Sequence, residues 1–247
     1  MPHRIGLQLY TLREAIAADM PATIRRVAEM GFDGVETAFF ESTTPEAVAS
    51  ELRTCGLTVF AAHAALPLGD ASELALRQAE LFGCSRIVWH GWPEDSRYST
   101  RDGIDALAEE YNAAAMRARG GGLQLGLHNH WWEMTPVGEA LPYRMLLAQI
   151  DPSIFFEVDT YWARVAGLDP AAVVAELGAR APLLHIKDGP ATRHEPMLAL
   201  GTGVIDIPAI VAASQPDAWL VVELDECATD MAEATARSVA YLRGIIG

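Results

Sequence analysis

Residues 154–188 read IFFEVDTYWARVAGLDPAAVVAELGARAPLLHIKD. Two short apolar runs, Ile154–Asp159 and Leu183–Lys187, flank a segment in which Asp169 and Pro170 set an N-cap before a proline at the first helical position. That is a strand, a crossover helix and a second strand, the connection that parallel strands require. The same rhythm runs outward in both directions. It predicts further strands at Ile5–Leu9, Gly34–Thr37, Thr58–His63, Arg86–His90, Leu123–His128 and Trp219–Leu224, giving eight in all. Thr44-Pro45 repeats the capping device, and Gly31, Gly56 and Gly83 stand where left-handed C-cap residues are expected. Gly120–Gly122 precede a strand and read as a helix stop, not as a phosphate cradle.

Eight such units admit a closed barrel or a long open sheet. The polar residues decide between them. Glu157 and Asp159, His185 and Lys187, and Glu223 are interleaved with apolar residues, and Glu36 follows Val35 in the same way. In a barrel strand the apolar neighbours face the outer helices, so these polar side chains must face the interior. His63, His90 and His128 close their own strands. The expected fold is a single (β/α)8 TIM barrel occupying residues 1–247, near the usual length for that fold.

Carboxylates and imidazoles gathered inside one barrel end cost several kcal/mol unless a cation or mutual pairing compensates them. The C-terminal rim is also where barrels of this kind build their active sites. With 51% hydrophobic and 21% charged residues the chain has the composition of a globular protein. The net charge of −15 opposes a phosphate backbone, which argues against a nucleic-acid partner. Cys55, Cys84 and Cys227 are odd in number and form no CxxC pair, so neither a disulfide framework nor a structural zinc site is expected. Gln8, Arg13 and Glu14 interrupt the first apolar stretch, unlike the core of a signal peptide, and no apolar run spans a bilayer. A cytoplasmic protein without a membrane partner is the expectation.

The segments LGLHNHWWEM, FEVDTYWARVAGLDP, LLHIKD, LGTGVID and WLVVELDE resemble the xylose isomerase-like TIM-barrel superfamily, in the sugar phosphate isomerase/epimerase branch, over nearly the whole chain. The resemblance implies one divalent ion, Mn2+, Mg2+, Co2+ or Zn2+, held by Asp159, His185 and Glu223. Ketose epimerases of that group take their fourth ligand, a glutamate, from strand five, where this chain has His128 and the nearest glutamate is Glu133. Either Glu133 reaches back to the ion, the alternative preferred here, or His128 is the ligand and Glu133 contacts substrate. Proton abstraction next to a ketose carbonyl would use Glu133 and Glu223. A lyase or dehydratase acting on a keto sugar, ketoglycoside or inosose is the runner-up, with His128 or His130 as proton donor.

His63, His90, Glu36, Trp162, Lys187 and Arg193 join His128 and His130 as expected substrate contacts. Glu157 is expected to pair with Lys187 on the adjacent strand and to stay outside the chemistry. Trp131, Trp132 and Trp162 follow strand ends, where they stack on sugar or pack the rim. The partner expected is a small sugar or polyol, with a homodimer as the default assembly. A non-catalytic sugar sensor and an endonuclease IV-like enzyme are the remaining alternatives, the second opposed by the acidic balance.

Overall fold

The computed structural model describes residues 3–38 and 42–247. Eight parallel strands, β1 (Arg4–Gln8), β2 (Gly34–Thr37), β3 (Val59–Ala64), β4 (Arg86–Trp89), β5 (Gln124–His128), β6 (Phe155–Asp159), β7 (Leu183–Ile186) and β8 (Trp219–Val222), pair in sequence order, and β8 closes on β1. This is the (β/α)8 TIM barrel that the interleaved polar residues required. Residues at several predicted strand ends, including His90, Lys187 and Glu223, lie just past the ladder, where the chain turns into the rim loops.

The crossover helices start where the sequence supplies caps. The Thr44 hydroxyl accepts the Ala47 N–H at the start of α2 (Pro45–Thr54), and Gly83 takes a left-handed conformation after α3 (Ala71–Phe82). In the first crossover, α1 (Arg13–Glu29), the backbone leaves helical angles at Asp19, and the Asp19 carboxylate accepts the Ala22 N–H at 3.0 Å to restart the helix around Pro21.

Outward strand residues such as Ile5, Leu7, Ile87, Val158 and Val222 pack against the helices in one large apolar layer. Inside the barrel a second, smaller cluster of Phe60, Val88, Phe155, Leu183, Trp219 and Val221 fills the N-terminal end. Three rings fit there because facing positions lack a Cβ. One built on Gly6 would strike the Phe60 ring and one on Gly126 the Phe155 ring. Gly126 and Phe155 are direct partners across β5 and β6. Phe60 and Trp219 stack with centroids 4.1 Å apart, and Arg4 covers Trp219 from below at 4.4 Å. The apolar floor forces the polar residues upward, towards the C-terminal rim.

Among the described residues no helix is long and apolar enough to cross a membrane. Gly126→Ala is expected to overpack the floor and cost about 1–3 kcal/mol in chemical denaturation, with part of the loss recovered in a Gly126→Ala/Phe155→Leu double variant.

Candidate active site

Ladder register sets the height of each side chain at the rim. Asp159 lies opposite His185, and His128 opposite Glu157 two residues lower on β6. Asp159 also caps α4 (Thr160–Val165), its Oδ1 accepting the Trp162 N–H at 2.8 Å, which turns Oδ2 towards the barrel axis. Asn129 grips the same residue from behind, accepting the Asp159 N–H at 2.9 Å and donating to its carbonyl at 3.2 Å. His185 Nδ1 lies 2.6 Å from Glu223 Oε2. One candidate ligand atom each from His128, Asp159, His185 and Glu223 therefore falls within 4.8 Å of all the others. A second group, His63, His128, Glu157 and His185, meets the same criterion.

Lys187 closes the upper group. Its ammonium, fully buried, lies 2.8 Å from Asp159 Oδ2, 2.8 Å from Glu223 Oε2 and 2.7 Å from Asp225 Oδ2, and only the bond to Asp225 is aligned as a hydrogen bond. The expected Glu157–Lys187 pair does not form. Because Asp159 is level with His185, Lys187 stands one inward step above Asp159, and Glu157 one step below it. Glu157 Oε2 instead meets His63 at 2.8 Å, His128 at 3.1 Å and His185 at 3.2 Å. Glu36 lies at the same depth, accepting from Gln8 at 2.7 Å and facing His185 at 2.8 Å.

The charges follow from these contacts. Burial opposes a charged Lys187, but Asp159, Asp225 and Glu223 outweigh it and hold the ammonium well above its ordinary range. Burial opposes an ionised Glu223, but Lys187 and His185 hold it well below the usual carboxylate range. Burial likewise opposes a charged His63, yet Glu36 and Glu157 raise it to about 10. His90, two residues from the exposed Trp92, is lowered to about 4 by burial and by His63 and His130. His128 is held well below its usual value, chiefly by burial.

Above this floor opens a cavity of about 690 Å3. Of the candidates, His63, His90, His128 and His130 line it, with Trp162, Lys187, Arg193 and Glu223. Arg193 lies over Trp131 at 4.7 Å, so the guanidinium and the indole form one wall. Asp159, His185 and Glu36 are outside the lining. Glu133 is also outside the lining and belongs to neither ligand group. It is buried in the loop after β5, where Oε2 accepts the His130 N–H at 2.8 Å and Oε1 lies 3.8 Å from His130 Nδ1. His128, not Glu133, is thus the β5 residue brought to Asp159, His185 and Glu223.

Tyr10, Arg13, Trp92 and Asp225 line the cavity without having been singled out from the sequence. Asp225 had a legible signal, since it follows Glu223 at the next inward position. Trp92 had none. Trp132, considered for sugar stacking, is buried and stacks on His130 at 4.2 Å, supporting the rim from behind.

Residues 24–245 match the profile of the xylose isomerase-like TIM barrel family, and the chain belongs to that family. No curated protein sequence gives a significant match. Among solved structures it is similar to a sugar phosphate isomerase/epimerase from Parabacteroides distasonis (TM-score 0.79, 22% identity, covering 98% of this chain and 93% of that one). It is also similar to a probable 3-DHS dehydratase, AsbF, involved in petrobactin synthesis, from Bacillus anthracis (0.77, 14%, 97% and 98%). A third is a D-allulose 3-epimerase from Methylomonas sp. (0.70, 18%, 99% and 98%). At these identities the likeness is one of fold.

Removing one partner from a buried ionic group typically costs about 3–5 kcal/mol. Lys187→Met should lose about that much in urea denaturation with a chelator present, because three carboxylates then face one another without their ammonium.

Proposed function

We propose that the chain is a metal-dependent sugar isomerase or epimerase that removes a proton next to the carbonyl of a ketose or related polyol ketone. The observation carrying this reading is the convergence of His128, Asp159, His185 and Glu223 on one point beneath the cavity. The fit to a divalent cation rests on Asp159 Oδ2, a buried carboxylate oxygen that accepts no aligned hydrogen bond although it points into the set. Two imidazoles and two carboxylates suit Mn2+, Co2+ or Zn2+, and Mg2+ less closely. Such an ion, when bound, supplies a Lewis acid that polarises the substrate carbonyl and stabilises the charge developing on it.

The protein's own groups divide the remaining work. Glu223, kept ionised by Lys187 and His185, is the base that takes the proton from carbon. Lys187, at the cavity floor, offsets negative charge gathering on the substrate oxygens. Trp131, Trp162 and Arg193 orient the substrate and exclude water from its apolar face. The second proton carrier is His130 on the β5 side, steadied by Glu133 behind it and stacked on Trp132. The substrate is a small polar molecule, since a net charge of −15 and a cavity lined by Glu223, Asp225 and Glu226 disfavour nucleic acid.

A lyase or dehydratase working by the same proton abstraction is the second reading. It is favoured by His130, which lines the same cavity as Glu223: elimination needs an acid for its leaving group, and Glu133 does not reach the cavity as a symmetrical second glutamate would.

Purified protein should hold one divalent ion per chain, and Asp159→Ala and Glu223→Ala should lose it in elemental analysis. Wild type in deuterated solvent should exchange the hydrogen beside the carbonyl of its ketose substrate, followed by NMR. Retained carbon skeleton and hydroxyls mark isomerisation, and loss of water or a glycosidic group marks elimination. A wild type that takes up no ion under any loading condition sinks the reading. His130→Phe should lower kcat by about 10²–10⁴-fold while leaving ion content unchanged, as expected for a proton carrier that is not a ligand.

A further inference from the structure

Behind the two histidines of the converging set lie two carboxylates that have no part in the proposed mechanism. Glu157 and Glu36 are fully buried and absent from the cavity lining, and each has one oxygen, Oε1, with no hydrogen-bond partner. Their other oxygens meet the far sides of the two histidines of the upper set. Glu157 Oε2 lies 3.1 Å from His128 Nδ1, while His128 Nε2 faces Asp159 Oδ2 at 3.8 Å. Glu36 Oε2 lies 2.8 Å from His185 Nε2, while His185 Nδ1 faces Glu223. A ring nitrogen that donates its proton to a carboxylate leaves the opposite nitrogen with a lone pair for a cation, and fixes the ring plane as well.

We propose that Glu157 and Glu36 are positioning residues for a divalent ion, each holding the rear nitrogen of a histidine so that His128 presents Nε2 and His185 presents Nδ1 to the point shared with Asp159 and Glu223. The proposal rests on reading that point as a cation site and adds which nitrogens face it and what sets them. It explains how an imidazole serves on β5. His128 brings no charge to the set, and its ladder partner Glu157 supplies a negative charge at the rear of the ring. His63 completes the arrangement, its Nε2 lying 2.8 Å from Glu157 and 3.4 Å from Glu36, so that the two carboxylates share a cationic neighbour on the side away from the ion.

The test combines Mn2+ titration of the wild type, Glu157→Gln, Glu36→Gln and Asp159→Ala with 15N NMR of the histidine rings in Zn2+-loaded protein. Expected are a ring proton on His128 Nδ1 and on His185 Nε2, and Mn2+ affinity about 10–100-fold weaker in each Gln variant at unchanged stoichiometry. Circular dichroism confirms that each variant is folded, and Glu157→Asp, which restores a carboxylate, should recover part of the affinity lost in Glu157→Gln. The proposal is overturned by a proton on His128 Nε2, or by folded Gln variants that bind Mn2+ as the wild type does. It is overturned too if Asp159→Ala still binds while Glu157→Gln takes up no ion, since Glu157 is then itself a ligand in the lower group. A wild type that binds no ion ends this proposal together with the cation-site reading, whereas unchanged binding in the Gln variants ends this one alone.

Discussion

Ionisable side chains withdrawn from water into a closed barrel must neutralise one another, and most of the upper half of this molecule is arranged to that end. A lone buried carboxylate would give up its charge, because its hydration is worth more than any single contact inside the protein. Here the groups are interleaved by charge: Glu36 and Glu157 against His63, His128 and His185, and Asp159, Glu223 and Asp225 around Lys187. The alternation works only because each strand delivers an inward residue every second position, at a height fixed by its neighbour. Moving any one strand by a residue would turn its charges into the apolar layer beneath the helices.

That constraint explains how much was legible in the sequence. Polar residues alternating with apolar ones, as in Phe-Glu-Val-Asp and Leu-His-Ile-Lys, fix which side chains point inward without any knowledge of partners, so the barrel and the inward placement of Asp159, His185 and Glu223 could be read directly. Stagger between strands could not. Glu157 and Lys187 are both inward on adjacent strands, and from sequence they look like a pair. The register sets them on opposite sides of Asp159, and each finds different partners. Glu133 was misleading for a related reason. Its distance along the chain from β5 permits a reach back to the centre, but its carboxylate is spent on the His130 backbone. Asn129 and Gln8 gave only weak signals as isolated polar residues at strand ends, although one fixes Asp159 and the other holds Glu36.

The rim loops bring a different chemistry to the same place. Tryptophans from the loops after β4 and β5 and from the helix after β6 meet one another and His130 tilted, edge to face or stacked, and the guanidinium of Arg193 lies across Trp131. These contacts couple loops that the ladder does not connect. The loop after β7 is ordered separately, by the Asp188 carboxylate, which accepts backbone N–H groups from Gly189, Gly201, Gly203 and Ile205. A Cβ on Gly203 would occupy the space of that carboxylate. The segment carrying Arg193 is therefore tied to the barrel at its base while its tip takes part in the cavity wall.

The plug of Phe60, Phe155 and Trp219 at the N-terminal end has a kinetic consequence. Among the described residues it closes the barrel at that end, so the cavity opens only at the C-terminal rim. Whatever enters must leave by the way it came, so a departing molecule and an incoming one exclude each other, and water displaced by either has to escape past the tryptophan rim. For any ligand that binds there, occupancy of such a vessel is a sequence of separate visits through the aromatic rim.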